Sequence, residues 1–88
     1  ASTLTNLGVV RFRQGRHADA VEPLQEATQA DPASVDAWAH LAMAQAELGK
    51  LESALQAVER ALALAPQHGQ GWGLKGNLLK DLGRPQDA

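Results

Sequence analysis

Apolar residues recur near the start of the chain at Leu4, Leu7, Val9, Val10 and Phe12, broadly the three- and four-residue spacing that gives a helix one apolar face. Gly15 follows, and glycine accepts the left-handed conformation that closes a helix, so a first helix is expected over residues 3–14. A second stripe of Ala20, Leu24 and Ala27 predicts a helix over 18–30. It stops at Asp31-Pro32, because the residue before proline is driven out of the helical region. Pro23 is a local conflict inside this helix: it removes a backbone donor, at a cost that reaches ~3 kcal/mol in a helix interior and is expected to be softened near a helix start. Ser34 then offers an N-cap, and Trp38, Leu41, Ala42 and Gln45 carry the pattern through a third helix over 35–48 that Gly49 closes. Ala54, Leu55, Val58, Ala61 and Leu62 point inward from a fourth over 51–64, ended by Pro66. Trp72, Gly76 and Leu79 belong to a fifth that stops at Gly83, and Pro85, favoured at a first helical position, starts a sixth.

The landmarks keep one period. Gly15, Gly49 and Gly83 lie 34 residues apart, and each is followed by a base, Arg16, Lys50 or Arg84. Such bases complement the negative pole of the helix just closed, by about 0.3–1 kcal/mol. The same step links Leu7 to Leu41, Trp38 to Trp72, Pro32 to Pro66, and Ala20 to Ala54 and Ala88. A fixed period of about 34 residues reads as stacked helix–turn–helix units. The expected fold class is therefore all-α, an alpha-alpha superhelix (solenoid) of antiparallel helix hairpins. Its units are expected at 1–34, 35–68 and 69–88, the last being a first helix plus the start of a second. Gly8, Ala42 and Gly76 are expected to face Ala20, Ala54 and Ala88, small residues that let paired helices approach closely.

These landmarks resemble the tetratricopeptide repeat, whose pattern runs Trp-x2-Leu-Gly-x2-Tyr, then Ala-x3-Phe, then Pro. The second copy reads Trp38, Leu41, Ala42, Gln45, Ala54, Val58, Ala61, Pro66, and the first reads Leu4, Leu7, Gly8, Arg11, Ala20, Leu24, Ala27, Pro32. The third supplies Trp72, Lys75, Gly76, Leu79 and Ala88. Arg11 and Gln45 stand where the family prefers Tyr, and Lys75 where it prefers Leu. The resemblance implies a concave groove lined by the first helix of each unit. By register that groove would present Ser2, Asn6, Val9, Phe12 and Arg13; then Asp36, Ala39, His40, Met43 and Glu47; then Gln70, Gly73, Leu74, Asn77 and Asp81. Phe12 and Met43 would offer adaptable apolar contact, and Asn6 and Asn77 would hydrogen-bond a peptide backbone. Two uses known in the family fit poorly. The clamp for chaperone tails needs Lys, Arg and Asn where this chain has Thr5, Val9, His40, Gln70 and Leu74. An asparagine ladder would need Asn at Asn6, His40 and Leu74, and only the first qualifies.

Composition narrows the function. The chain has 88 residues, 44% hydrophobic and only 3% aromatic, which favours helix–helix packing by Ala and Leu over sheet. A net charge of −2 gives no basic surface for nucleic acid phosphates or an anionic membrane, so neither partner is expected. There is no cysteine, which removes disulfides and thiolate chemistry and leaves the redox compartment unread. No apolar run reaches the ~20 residues of a membrane span, so a soluble, cytoplasmic segment is the expectation, cut from something longer since it opens within a repeat. His17, His40 and His68 show no i, i+4 pairing, so no metal site is expected, and no cofactor or catalytic set is recognisable. His17 and His68 fall in turns, where solvated polar residues are the rule.

The expected function is a non-catalytic protein–protein interaction scaffold that takes a peptide or partner protein in its groove. The alternative is an accessory segment of a larger bacterial-type enzyme, such as a sulfotransferase, glycosyltransferase or hydroxylase. Homo-oligomerisation through the incomplete third unit is also expected, with Trp72 and Leu79 leaving an apolar face exposed.

Overall fold

The computed structural model describes residues 2–83, without the side chain of Ser2; the expectations for Arg84, Pro85 and Ala88 lie outside that range. Five helices follow in order: α1 (Ser2–Arg13), α2 (His17–Ala30), α3 (Val35–Glu47), α4 (Leu51–Leu64) and α5 (Gly69–Asp81). They start and stop where Gly, Pro and Ser punctuate the sequence. Gly15, Gly49 and Gly83 take φ of +78°, +80° and +75°, the left-handed region that glycine enters without a steric penalty. At the first of these turns the Gly15 N–H donates to the Phe12 carbonyl (3.0 Å) and the Arg16 N–H to the Arg11 carbonyl (2.9 Å). The second repeats the arrangement, Gly49 to Ala46 (3.1 Å) and Lys50 to Gln45 (2.9 Å). Two of the carbonyls left over at each helix end are thereby satisfied. Ser34 caps α3, its hydroxyl accepting from the Ala37 N–H at 3.3 Å.

A second device ties successive hairpins together. The indole N–H of Trp38 donates to the Pro32 carbonyl at 2.8 Å, and that of Trp72 to the Pro66 carbonyl at 2.6 Å. The spacing Pro-x5-Trp thus locks each inter-hairpin turn onto the helix that follows it. Each indole also lies under a cation, Arg60 at 5.8 Å from the Trp38 ring and Lys75 at 5.4 Å from Trp72.

Consecutive helices pack pairwise, and α3 additionally approaches both α1 and α5, whereas among the described residues no Cα of α2 comes within 8 Å of one in α4. The first helices of the hairpins therefore form a closed inner layer, and the second helices a spaced outer one, which is the curvature of an alpha-alpha superhelix. The core between the layers holds Ala20, Leu24, Leu41, Ala42, Ala54, Val58, Leu62 and Leu78. Small residues set the spacing, since Ala20, Ala42 and Ala54 are all fully buried. Gly8 does more: a Cβ there would lie 2.4 Å from Leu24 Cγ, so α1 sits down on Leu24, the nearest side chain, rather than on Ala20.

Several expectations are corrected. Leu7 and Val10 are 40% and 50% exposed, although their register equivalents Leu41, Ala44 and Leu78 are buried. The reason is positional: α3 and α5 each have an earlier hairpin to pack on, and α1 has none among the described residues. Leu79 is buried rather than exposed, while Trp72 is open. Pro23 is the seventh residue of α2, past the first turn, so its position does not soften it. The carbonyl its missing N–H would have bonded is that of Asp19, and the Arg11 guanidinium donates to that oxygen at 3.2 Å. Arg11, the departure from the family's Tyr, compensates the proline. His17 and His68 are half-buried: His17 meets Phe12 edge-on, ring centroids 4.9 Å apart, and His68 carries a buried, unpartnered Nε2.

Candidate functional site

The inner layer brings together three helices of one register, so equivalent positions form rows across it. Asn6, His40 and Leu74 make one row; Val9, Met43 and Asn77 the next; Arg13, Glu47 and Asp81 a third along one rim; Asp36 and Gln70 stand on the opposite rim. Exposure follows the row. Asn6, Arg13, Asp36, Glu47, Gln70, Asn77 and Asp81 are exposed, whereas Val9, His40, Met43 and Leu74 are half-buried and form the floor. Gly73, with no side chain, leaves open space beside Leu74.

The structure draws part of this set into one notch. Ala39 and Met43 of α3 meet Gln70, Gly71 and Leu74 of α5 around a cavity of about 10 Å³, backed by Val58 and His68. The notch is apolar except for the amide of Gln70 and the His68 ring, whose Nε2 lacks a partner. It exists because α5 approaches α4 closely: a Cβ on Gly71 would lie 2.9 Å from Leu62 Cδ2 and 3.0 Å from His68 Cδ2. Gly71 and His68 were not among the groove candidates. The available signal was Ala37, the buried residue one period before Gly71.

Other candidates are engaged elsewhere. His40 turns Nδ1 back onto its own helix, 2.8 Å from the Asp36 carbonyl. Phe12 packs against the core and against His17, so it supplies less groove surface than its register predicts. Thr5 is buried with an unpartnered hydroxyl. Of the candidate residues, the two rims together carry three carboxylates, Asp36, Glu47 and Asp81, against the guanidinium of Arg13. Such a floor and rim can seat an apolar side chain and hydrogen-bond a main chain. Among the described residues no three His, Cys, Asp or Glu side chains converge on one point, and no helix is long and apolar enough to cross a membrane.

Comparison with known proteins gives the same architecture. In sequence, the chain is 27% identical over 77 residues to Superkiller protein 3 of Saccharomyces cerevisiae, a match covering 88% of this chain and 5% of that protein. In structure, it superposes on the crystal structure of MamA with a TM-score of 0.93 and 26% identity, covering 96% of this chain and 49% of the other. The second tetratricopeptide domain of Spaghetti (RPAP3), solved with the HSP90 peptide SRMEEVD, also gives a TM-score of 0.93, at 24% identity over 97% of this chain and 79% of that one. The chain thus spans about half of MamA and a small fraction of the yeast protein. The sequence profile of the tetratricopeptide repeat matches residues 11–78, most of the chain, and with the five nested helices this places the protein in the tetratricopeptide repeat family.

Proposed function

We propose that the chain is a non-catalytic interaction module that binds an extended peptide against α1, α3 and α5. The observation that carries this reading is the notch between α3 and α5, where Met43 and Leu74 form an apolar seat beside the amide of Gln70. An apolar peptide side chain rests on Met43 and Leu74 over the mouth of the notch, Asn6 and Asn77 pair with the peptide main chain, and Asp36, Glu47 and Asp81 favour a segment with basic flanks. The HSP90 peptide bound to the RPAP3 neighbour supports a peptide as the kind of partner, but its acidic tail does not suit this chain. The positions that would clamp such a tail hold Thr5, Val9, His40, Gln70 and Leu74, and Val9 and Leu74 are half-buried apolar residues.

A peptide with a central Leu or Met and basic flanks, selected by display against this chain, is expected to bind with an affinity that Met43→Ala lowers about tenfold, the loss of one buried apolar anchor. SRMEEVD is expected to show no saturable binding in the same calorimetric titration. Tight binding of SRMEEVD, or indifference of the selected peptide to Met43→Ala, would sink the groove reading.

A second proposal concerns self-association, favoured by apolar surface at both ends of the stack: Leu7 and Val10 on α1 and Trp72, 51% exposed, on α5. Sedimentation velocity is expected to show a mass that rises with concentration and falls back in a Leu7→Glu, Val10→Glu variant. A strictly monomeric mass at high concentration contradicts it. That the chain covers only part of its relatives also fits an accessory segment of a larger protein, the enzyme alternative included; the sequence flanking these 88 residues in the gene distinguishes the two.

A further inference from the structure

We propose that the outer face carries a second ligand site, at the junction of α2, α3 and α4, which takes a short peptide segment bearing a carboxylate. The backbones of α2 and α4 stay apart, with no Cα pair within 8 Å, and leave between them an open groove of about 470 Å³ floored by α3. Gln25 and Gln29 come from α2, Gln45 from the floor and Gln56 from α4, with Arg60 as the only charged side chain.

Two of the polar residues stand where the following copy has leucines. One period later, Gln45 corresponds to Leu79 and Thr28 to Leu62, both buried in the α4–α5 junction. At the first junction the same interior positions hold an amide and a hydroxyl, each more than nine-tenths buried. Thr28 is satisfied, donating to the Gln25 carbonyl at 2.7 Å. Gln45 is not: its side-chain oxygen is buried with no hydrogen-bond partner. A buried acceptor without a donor destabilises a fold, so its presence at a groove, where a leucine would serve packing better, points to a donor that arrives from outside.

The chemistry of the lining selects the ligand. A glutamine amide presents N–H and C=O side by side, as a peptide group does, so four of them along one cleft match the alternating donors and acceptors of a main chain. The Arg60 guanidinium carbon sits 5.8 Å from the centroid of the half-buried Trp38 ring, and both line the groove, which places a cation there for a carboxylate. This site is separate from the concave groove and does not depend on it.

The test is a proton–nitrogen NMR titration of the labelled 88-residue chain with a pool of N-acetylated, C-amidated tetrapeptides, each carrying one Asp. The expected result is movement of the Gln45 and Gln25 side-chain amide signals and of the Trp38 indole N–H. Replacing Asp by Asn in the pool, or Arg60→Gln in the protein, is expected to weaken binding about tenfold. Gln45→Leu, which copies Leu79, is expected to abolish the Gln25 and Trp38 shifts while raising the melting midpoint by roughly 4–8 °C, showing that the lost binding is not lost folding. The proposal is overturned by unmoved signals at millimolar peptide, by shifts centred instead on Met43 and Leu74, by equal response to the Asp and Asn pools or to acetate alone, or by a Gln45→Leu protein that still binds.

Discussion

Leu24→Ala is expected to be among the most damaging truncations in the chain, lowering its stability by about 2–5 kcal/mol, the range for removing a fully buried leucine. Leu24 has no exposed surface and belongs to the same core cluster as Leu41 and Ala42 of α3, so it joins the first hairpin to the second. The close approach of Gly8 raises the cost: the backbone opposite Leu24 carries no side chain at that residue that could swing into the hole. A single domain of this size is held by only about 5–15 kcal/mol, so the loss is a large share of the total. Urea unfolding followed by helical circular dichroism reads it as a fall in midpoint at unchanged slope. A change below about 1 kcal/mol would mean that the α1–α2 contact described above is not what holds the first hairpin.

Gly8→Leu is the converse and is expected to cost about 1–3 kcal/mol by overpacking. Even a Cβ there would come within 2.4 Å of Leu24 Cγ and 2.6 Å of its Cδ2, so either α1 lifts or Leu24 leaves its rotamer. Replacement of glycine inside a helix by alanine normally gains up to about 1 kcal/mol, which makes the sign at this position informative. Gly8→Ala should be neutral or harmful in the natural background and favourable in Leu24→Ala, where the new methyl enters the vacated space. The two changes together are thus expected to cost less than the sum of each alone, the coupling expected of residues in contact. Additive behaviour would contradict the contact.

Much of this architecture was legible in the sequence, for a physical reason that can be named residue by residue. Glycines with positive φ at 15, 49 and 83, the prolines at 32 and 66 and the Ser34 cap act locally, so helix ends could be read without knowing the packing. The inward stripe of α4 was legible because every turn of that helix is sandwiched. Leu7 and Val10 belong to the apolar stripe of α1 and are nevertheless exposed, because periodicity reports which face of a helix is apolar, not whether a neighbour covers it. Gly71, the Trp–Pro hydrogen bonds and the Arg11 contact to the Asp19 carbonyl went unread because each joins residues whose pairing depends on how turns fold back.

The groove shows the same division. Its rows followed from the register alone, and the structure places Met43, Gln70 and Leu74 around one notch. Register could not reveal that Phe12 leans into the core, that His40 is tied to the Asp36 carbonyl, or that His68 and Gly71 shape the notch from behind. Those features depend on rotamers and on the approach of α5 to α4. The outer groove escaped notice because Gln45 reads simply as a departure from the family pattern until its burial is known.

The most direct test of the proposed function is photo-crosslinking with mass spectrometry, using the display-selected peptide with a diazirine at its central apolar residue. The account predicts crosslinks to Met43 and Leu74, with Gln70 and Asn77 beside them, all on α3 and α5. Crosslinks confined to residues outside α1, α3 and α5 would contradict it.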